Sequence, residues 1–521
     1  MPEALLRQTN PLPAAVAAHA RPAGDLSLAD LVSEAQRLQQ AGLADAAVAL
    51  YQRWIADGPP AMRHVACFNL GTLLGGLGRT AEAEAAYRQA VAQQPNFPHA
   101  RLNLGHLLER AGQPEEALAQ WRAVLAGGAT GSAAIDLRVH AWNNLGRLLE
   151  TLRRYPEAEA ALRESLQLDA HQGSVIQHYV HLRQKQCAWP VYQPVGAVTA
   201  NQLLTGTSLL AMMSASDDPA LQLLSATRFA HERVPKLAPV ALHSSLPART
   251  GRIKIGYLSG DLHMHAVGLL TPELLELHDR RKFEIYGFCW TPESEQPQRK
   301  RLVKALDHLV RLAGVDDATA ARLIAEAGID VLVDLQGLTS GARPAILGYR
   351  AAPVQVSYLG LPGTSALPGV DWILADHYVM PPALEPYCTE KPIRLPHCYQ
   401  VSDRQREVAP RPARATYGLP DDRFVFCSFN NTFKFTPEMF GAWMRILGQV
   451  PDSVLWLLAD NDTARENMLR CADEHGVPRQ RLLFAPRVAP PEYLARFQCA
   501  DLVLDTFPYN AIYILGFLYC Q

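Results

Sequence analysis

The side chains able to do chemistry fall in short clusters in the second half of the chain. Lys434 stands four residues beyond the apolar run CSFN, where a loop should follow the carboxyl end of a strand. In parallel sheets ligands collect outside those ends. A cation there suits an anionic leaving group, the bland alternative being a solvated surface lysine. Asn431, three residues earlier, is a companion hydrogen-bond donor. His265 closes the run Asp261-Leu-His-Met-His, again just after a strand-like segment. A neutral imidazole accepts a proton near pH 7, so His265 suits a general base or an acceptor-positioning group, with a satisfied structural histidine as the other reading. Gly363, Thr364 and Ser365 in LPGTS form a polar turn suited to ligand binding, or simply a turn.

Metal chemistry draws little from this sequence. His263 and His265 are two ligands without a third in view. Asp460-Asn461-Asp462 has a carboxylate spacing that suits Mg²⁺ or Mn²⁺, but it precedes the helical run TARENMLR, where an Asp is an ordinary cap. Nine cysteines with no Cys-x-x-Cys pair indicate neither a disulfide framework nor a zinc knuckle. A reducing, cytoplasmic compartment and no bound metal are expected.

Those clusters need a scaffold, and from Arg252 onward the pattern supplies one. Short apolar runs IKIGYLS, FEIYGFCW, DVLVDLQG, VQVSYLG and VDWILAD alternate with helical stretches such as ATAARLIAEAG. This predicts a parallel sheet of Rossmann type. A second series, FVFCSFN, SVLWLLAD, RLLFAP and DLVLDTF, predicts another. The expected lobes are 250–405 and 406–521, with a cleft between their strand ends. Neither first strand is followed by GxGxxG, which disfavours a dinucleotide oxidoreductase.

The N-terminal part repeats with a period near 34 residues. One copy has Leu70, Gly71, Ala83, Tyr87 and Ala90; the next has Leu104, Gly105, Ala117 and Trp121; a third has Leu145, Gly146, Ala158 and Leu162. This is the tetratricopeptide pattern, in which small residues let paired helices approach and a large one fills the gap. A helical solenoid over 28–170 is expected, its groove binding an extended peptide or protein, or else serving as a spacer. Asn69, Asn103 and Asn144, each just before the Leu-Gly pair, could reach peptide backbone from that groove or remain surface amides. Residues 171–249, broken by CAWPVYQPV, read as a helical connector.

The chain has 521 residues, 49 basic against 51 acidic, and a formal charge of −2. Nucleic-acid binding through bulk positive charge is therefore excluded, and no uncharged apolar run reaches the roughly 18 residues of a membrane span.

The segments GYLSGDLHMH, DLQGLTSGARPAIL, RAAPVQVSYLGLPGTS, CSFNNTFKFTPEMFGAWMRIL, PDSVLWLL and ADLVLDTFPYN, in that order, resemble the family of O-linked N-acetylglucosamine transferases, particularly its bacterial members. That resemblance implies tetratricopeptide repeats joined to a two-lobed glycosyltransferase of the GT-B type. It implies inverting transfer of GlcNAc from UDP-GlcNAc to Ser or Thr of proteins, without a metal or other cofactor. Lys434 takes the family's place beside the diphosphate and His265 the place of a histidine on the acceptor side. Val488 to Tyr493 matches the loop beside the uracil, with Tyr493 where an aromatic or His is usual, while Pro490 and Pro491 depart from some members. Asn431, Gly363, Thr364 and Ser365 complete the expected donor site. The alternative is a tetratricopeptide interaction scaffold that does no chemistry.

The resemblance stops after Asn510. There the family has a threonine loop opening a helix whose N-terminal amides hold the diphosphate, and this chain has AIYILGFLYCQ. The expectation is a second lobe shortened by a frameshift or premature stop, with impaired activity.

Overall fold

The structure is a computed structural model, and it describes residues 26–127, 131–234, 241–243 and 251–511. The expectation placed on AIYILGFLYCQ falls, but for Ala511, outside them. The chain divides into two compact units, Met1–His171 and Gln172–Gln521.

The first unit is a row of helix pairs: Leu28–Gln40 with Ala44–Asp57, Arg63–Gly76 with Thr80–Gln93, Pro98–Arg110 with Pro114–Ala126, and Ser132–Thr151 with Tyr155–Leu168. The repeat pattern has a steric cause here. A Cβ on Gly71 would meet the Tyr87 ring at 2.8 Å, one on Gly105 would meet Trp121 Nε1 at 2.2 Å, and one on Gly146 would meet Leu162 at 2.3 Å. The two periodic positions are thus a knob and the space it fills. The turns recur as well: Gly42, Gly78 and Gly112 have φ of 75°, 74° and 75°, and Arg153 at 61° takes that place in the fourth pair.

The second unit holds two parallel sheets. The first has strands β1 (Ile253–Leu258), β2 (Phe283–Cys289), β3 (His308–Arg311), β4 (Val331–Asp334), β5 (Val354–Ser357), β6 (Trp372–Asp376) and β7 (Lys391–Leu395), in the order β3-β2-β1-β4-β5-β6-β7. The second has β8 (Phe424–Ser428), β9 (Ser453–Leu458), β10 (Leu482–Ala485) and β11 (Leu502–Val503), in the order β10-β9-β8-β11. Central β9, SVLWLL, is buried along its whole length, the mark of a strand covered on both faces. The sequence pattern missed β3 and β7. They are the two edge strands, and HLVR and KPIRL keep partly solvated positions that carry no continuous apolar run.

In both sheets the chain reverses its direction of travel after the third strand, so loops after β1 and β4, and after β8 and β11, flank an opening at the strand ends. Such switch points are where open α/β sheets bind ligands.

The connector helices Gly173–Lys185, Ala200–Thr205, Leu209–Ala215 and Pro219–Arg233 belong to this second unit. Leu209, Met213, Ala226 and Ala230 enter the apolar core of the first lobe. Cys187 and Trp189 pack in the core of the second. The passage between lobes is pinned at its start, where Arg301 pairs with buried Asp403 at 2.6 Å and Arg404 pairs with Glu273. It reaches the second lobe where Ala409 N–H donates to Pro491 O at 3.1 Å.

Candidate functional site

The switch point of the second sheet is built around Lys434. After β8 the chain makes a single 3₁₀ turn, Thr432–Lys434, and this turn carries the side chain inward until it is only 7% exposed. Lys434 Nζ donates to the carbonyl of Asn510 at 2.9 Å and lies 4.1 Å from the centre of the Tyr509 ring. Both partners come from the loop after β11. Burial lowers the Lys434 pKa to about 8, and the carboxylate of Asp505 opposes that fall. The site therefore holds a cation whose hydrogen bond goes to a neutral carbonyl, an arrangement poised for an incoming anion. Asn431 lies exposed at the start of the turn, its carbonyl accepting from Lys434 N–H at 3.0 Å. Sequence reasoning found Lys434 but not Asn430, Asp505 or Tyr509. The available signal was DTFPYN at the exit of a strand that neighbours β8.

Tyr493 and Val488 line a cavity of about 200 Å³ with Pro490 from the second lobe, Ala266, Leu269 and Leu270 from the first, and Arg406 from the passage. Pro490 and Pro491 open the short helix Pro490–Ala495, where proline is well suited because the first N–H groups need no partner. The Tyr493 hydroxyl donates to Phe429 O at 3.3 Å, and Arg496 lies 4.3 Å from the ring centre. One face of Tyr493 is thus occupied by a guanidinium. Burial raises its phenol pKa to about 12.

On the first lobe His265 immediately precedes the helix Ala266–Leu270, whose residues form that cavity wall. Its Nδ1 lies 3.6 Å from Asp261 Oδ2, and His263 Nε2 lies 3.9 Å from Oδ1 of the same carboxylate. Burial raises the pKa of Asp261, with the two imidazoles opposing. From the neighbouring β4 loop, Gln336 Oε1 accepts Gly260 N–H at 2.7 Å. Asp334, at the end of β4 and buried, is pushed up to about 6 by that burial despite accepting N–H groups from Gln336 and Gly337.

For the LPGTS turn the sequence left two readings open, a ligand-binding turn and a purely structural one. In the folded chain the hydroxyls of Thr364 and Ser365 both donate to buried Glu390, Thr364 Oγ1 at 2.6 Å, and Ser365 N–H donates there too at 2.7 Å. Gly363 packs 3.4 Å, measured from an added Cβ, from the sulfur of Met213 in the connector. A buried carboxylate needs donor partners, which explains the commitment of these groups to Glu390.

Asp460 pairs with Arg487 at 2.6 Å. The cap of the following helix is Asn461, which accepts Ala464 N–H at 2.7 Å, and not an Asp. Among the described residues no three His, Cys, Asp or Glu side chains gather as a metal site.

In the solenoid, Asn69 is hydrogen-bonded to the Tyr51 phenol, Asn103 Nδ2 donates to Tyr87 Oη at 3.1 Å, and Asn144 Nδ2 lies 3.3 Å from His106 Nε2. Asn103 and Asn144 line one concavity together with His99, His106 and His140; Asn69 lines another with Tyr51 and Gln39. The three amides are therefore placed in grooves, each already bound to a ring of the repeat. The histidines of the larger groove were not anticipated, since they follow no position of the repeat pattern.

Comparison with known proteins adds independent findings. Residues 231–411 and 407–512 match the family described as Glycosyl transferase family 41, and residues 68–133 and 103–173 match the Tetratricopeptide repeat. The chain is 32% identical over 261 residues to a probable UDP-N-acetylglucosamine–peptide N-acetylglucosaminyltransferase SEC of Arabidopsis thaliana, covering 49% of this chain and 27% of the relative. It is 25% identical over 368 residues to the UDP-N-acetylglucosamine–peptide N-acetylglucosaminyltransferase of Caenorhabditis elegans, covering 49% of this chain and 32% of the relative. The chain thus spans about a third or less of these relatives' length. A solved structure of a Thermobaculum terrenum O-GlcNAc transferase mutant superimposes with a TM-score of 0.59 at 23% identity, covering 88% of this chain and 81% of that one. That likeness establishes the architecture of repeats followed by parallel-sheet lobes.

Proposed function

Since the chain belongs to Glycosyl transferase family 41, we propose that it transfers N-acetylglucosamine from UDP-GlcNAc to Ser or Thr hydroxyls of proteins, with inversion at the anomeric carbon. The observation that carries this reading is the buried, carbonyl-held ammonium of Lys434 at the switch point of the second sheet. The names of its relatives support the donor and the peptide acceptor.

In this mechanism the acceptor oxygen attacks the anomeric carbon from the face opposite the diphosphate. The bond to the UDP oxygen breaks as the new glycosidic bond forms, and negative charge grows on the departing phosphate. Lys434 stabilises that charge. The acceptor proton passes to a base on the first-lobe side, where His265, beside Asp261, would receive or direct it. Tyr493 and Val488 form the wall against the uracil, Asn431 donates to phosphate or sugar, and Thr364 and Ser365, held by Glu390, supply a rigid wall together with the adjoining Gly363. A divalent metal or other cofactor has no role in this scheme because Lys434 delivers the positive charge the leaving group needs.

The solenoid grooves bearing Asn69, Asn103 and Asn144 would select protein acceptors. A cytoplasmic site of action fits the unpaired state of the described cysteines. Among the described residues no helix is long and apolar enough to cross a membrane.

The test is transfer of labelled GlcNAc from UDP-GlcNAc to a Ser/Thr-rich protein acceptor, with Lys434→Ala as control. Transfer by the parent and its loss in the variant is the expected result. Equal labelling by both would overturn the assignment and favour the scaffold alternative.

A further inference from the structure

The loop after β11 is tied into a compact hook by one carboxylate. Asp505 Oδ1 accepts Thr506 N–H at 2.7 Å, Ala511 N–H at 2.8 Å and the side-chain amide of Asn430 at 3.4 Å. Within the hook, Thr506 Oγ1 donates to Tyr509 O at 2.6 Å, and Asn510 Nδ2 donates to Thr506 O at 2.7 Å. The hook presents two groups to Lys434, the Tyr509 ring and the Asn510 carbonyl. Both favour a cation through partial charge alone.

The full negative charge acting on the ammonium is that of Asp505. Among the described residues, the other titratable side chains on elements packed against this turn include Tyr509 itself, Cys187, whose thiol lies 3.7 Å from Thr432 O and is kept neutral by burial, His181, whose ring lies 5.3 Å from that of Phe433, and Lys185, whose carbonyl accepts from Thr432. Asp505 also bridges the loops on both sides of the switch point, since Asn430 ends β8 and Thr506 and Ala511 follow β11.

We propose that Asp505 is a positioning residue of the donor site: its carboxylate fixes the hook that cradles Lys434 and sustains the charge with which that lysine meets a nucleoside diphosphate, without itself touching the ligand. This rests on the reading of Lys434 as the diphosphate-binding cation. A carboxylate within the field of a largely desolvated ammonium favours its charged form. Removing that charge while keeping an acceptor oxygen should let Lys434 lose its proton at lower pH. Nucleotide affinity would then fall earlier as pH rises.

The experiment is calorimetric titration of the full chain with UDP between pH 6.5 and 9, for the parent, Asp505→Asn and Asp505→Ser, with circular dichroism to verify folding. In the parent, affinity should decline as pH passes about 8. In either folded variant the decline should begin about half a pH unit or more lower, so that affinity at pH 8, relative to pH 6.5, falls about twofold or more further than in the parent. UDP titrates identically in all three, so its own ionisation cancels. An unshifted decline in a folded variant would overturn the role of Asp505. Failure of both variants to fold would also overturn it, by assigning the carboxylate to stability alone. Absence of UDP binding by the parent at every pH would instead remove the reading of Lys434 on which the proposal stands.

Discussion

The hydroxyl of Thr432 donates to the backbone carbonyl of Lys185 across 2.6 Å, tying the connector to the turn that carries Lys434. Asn461 Nδ2 donates to the same carbonyl at 3.0 Å, and Asn467 Nδ2 donates to Gln186 O at 2.8 Å. The segment between the repeats and the lobes thus braces the turn that carries Lys434. Thr432→Val should destabilise the chain by about 1–2 kcal/mol in urea unfolding, because the shape is kept while one hydrogen bond is lost. Thr432→Ser should restore most of that loss.

Lys434→Met should separate activity from stability. The folded pKa of Lys434, about 8, lies below the ordinary 10.5. The folded chain therefore binds fewer protons than the unfolded chain between those values, and its stability rises with pH across that window. Below about pH 8 the charged, buried ammonium is a cost. Replacing it with Met should stabilise the chain at pH 7 by about 1–3 kcal/mol, with the gain shrinking toward pH 10.5. Transfer should meanwhile fall about 10²–10³-fold. Urea unfolding at pH 7 and 10, alongside turnover, checks both.

His265→Ala should lower turnover about 10²-fold or more while leaving UDP affinity unchanged, because the imidazole serves the acceptor side. Asp261→Asn should give a smaller loss in turnover, since it acts only by orienting that ring across 3.6 Å. Steady-state kinetics with calorimetric UDP binding distinguishes this pattern from a general loss of structure.

Glu390 holds two hydroxyls and one amide of the LPGTS turn from a position only 3% exposed. Glu390→Ala should cost about 1–3 kcal/mol by orphaning those buried donors. UDP-GlcNAc affinity should weaken more than UDP affinity if the turn forms a wall against the sugar. Paired titrations with the two nucleotides make the comparison.

Gly105→Ala should weaken the solenoid. Its new methyl would overlap Trp121 Nε1, which is buried and cannot withdraw without giving up its hydrogen bond to Leu102 O. The expected cost is about 1–3 kcal/mol, read as an earlier loss of helical signal on heating. The chemistry of UDP binding should be unaffected.

Much of this protein was legible in one dimension because its forces act locally. Gly105 and Trp121 sit sixteen positions apart in a pattern that repeats, so the helix pairs follow from sequence spacing. The strands β8 and β9 declare themselves through continuous apolar runs, and Lys434 through its place beyond a strand end. Edge strands β3 and β7 were hidden because half-solvated residues carry no apolar run. The sequence left Thr364 and Ser365 open between ligand groups and a structural turn because Glu390, about 25 residues away, has no periodic relation to them.

The sequence by itself determined the repeat, the alternation of strand and helix, and the types of side chain at the strand exits. Only the tertiary structure decided what surrounds Lys434. Its partners Asn510, Tyr509 and Asp505 lie more than seventy residues downstream, brought beside it because β11 pairs with β8 and not with the strand before it in the chain. Burial and a neighbouring charge set the proton affinity of that lysine, and both are properties of the packed chain that no local pattern encodes.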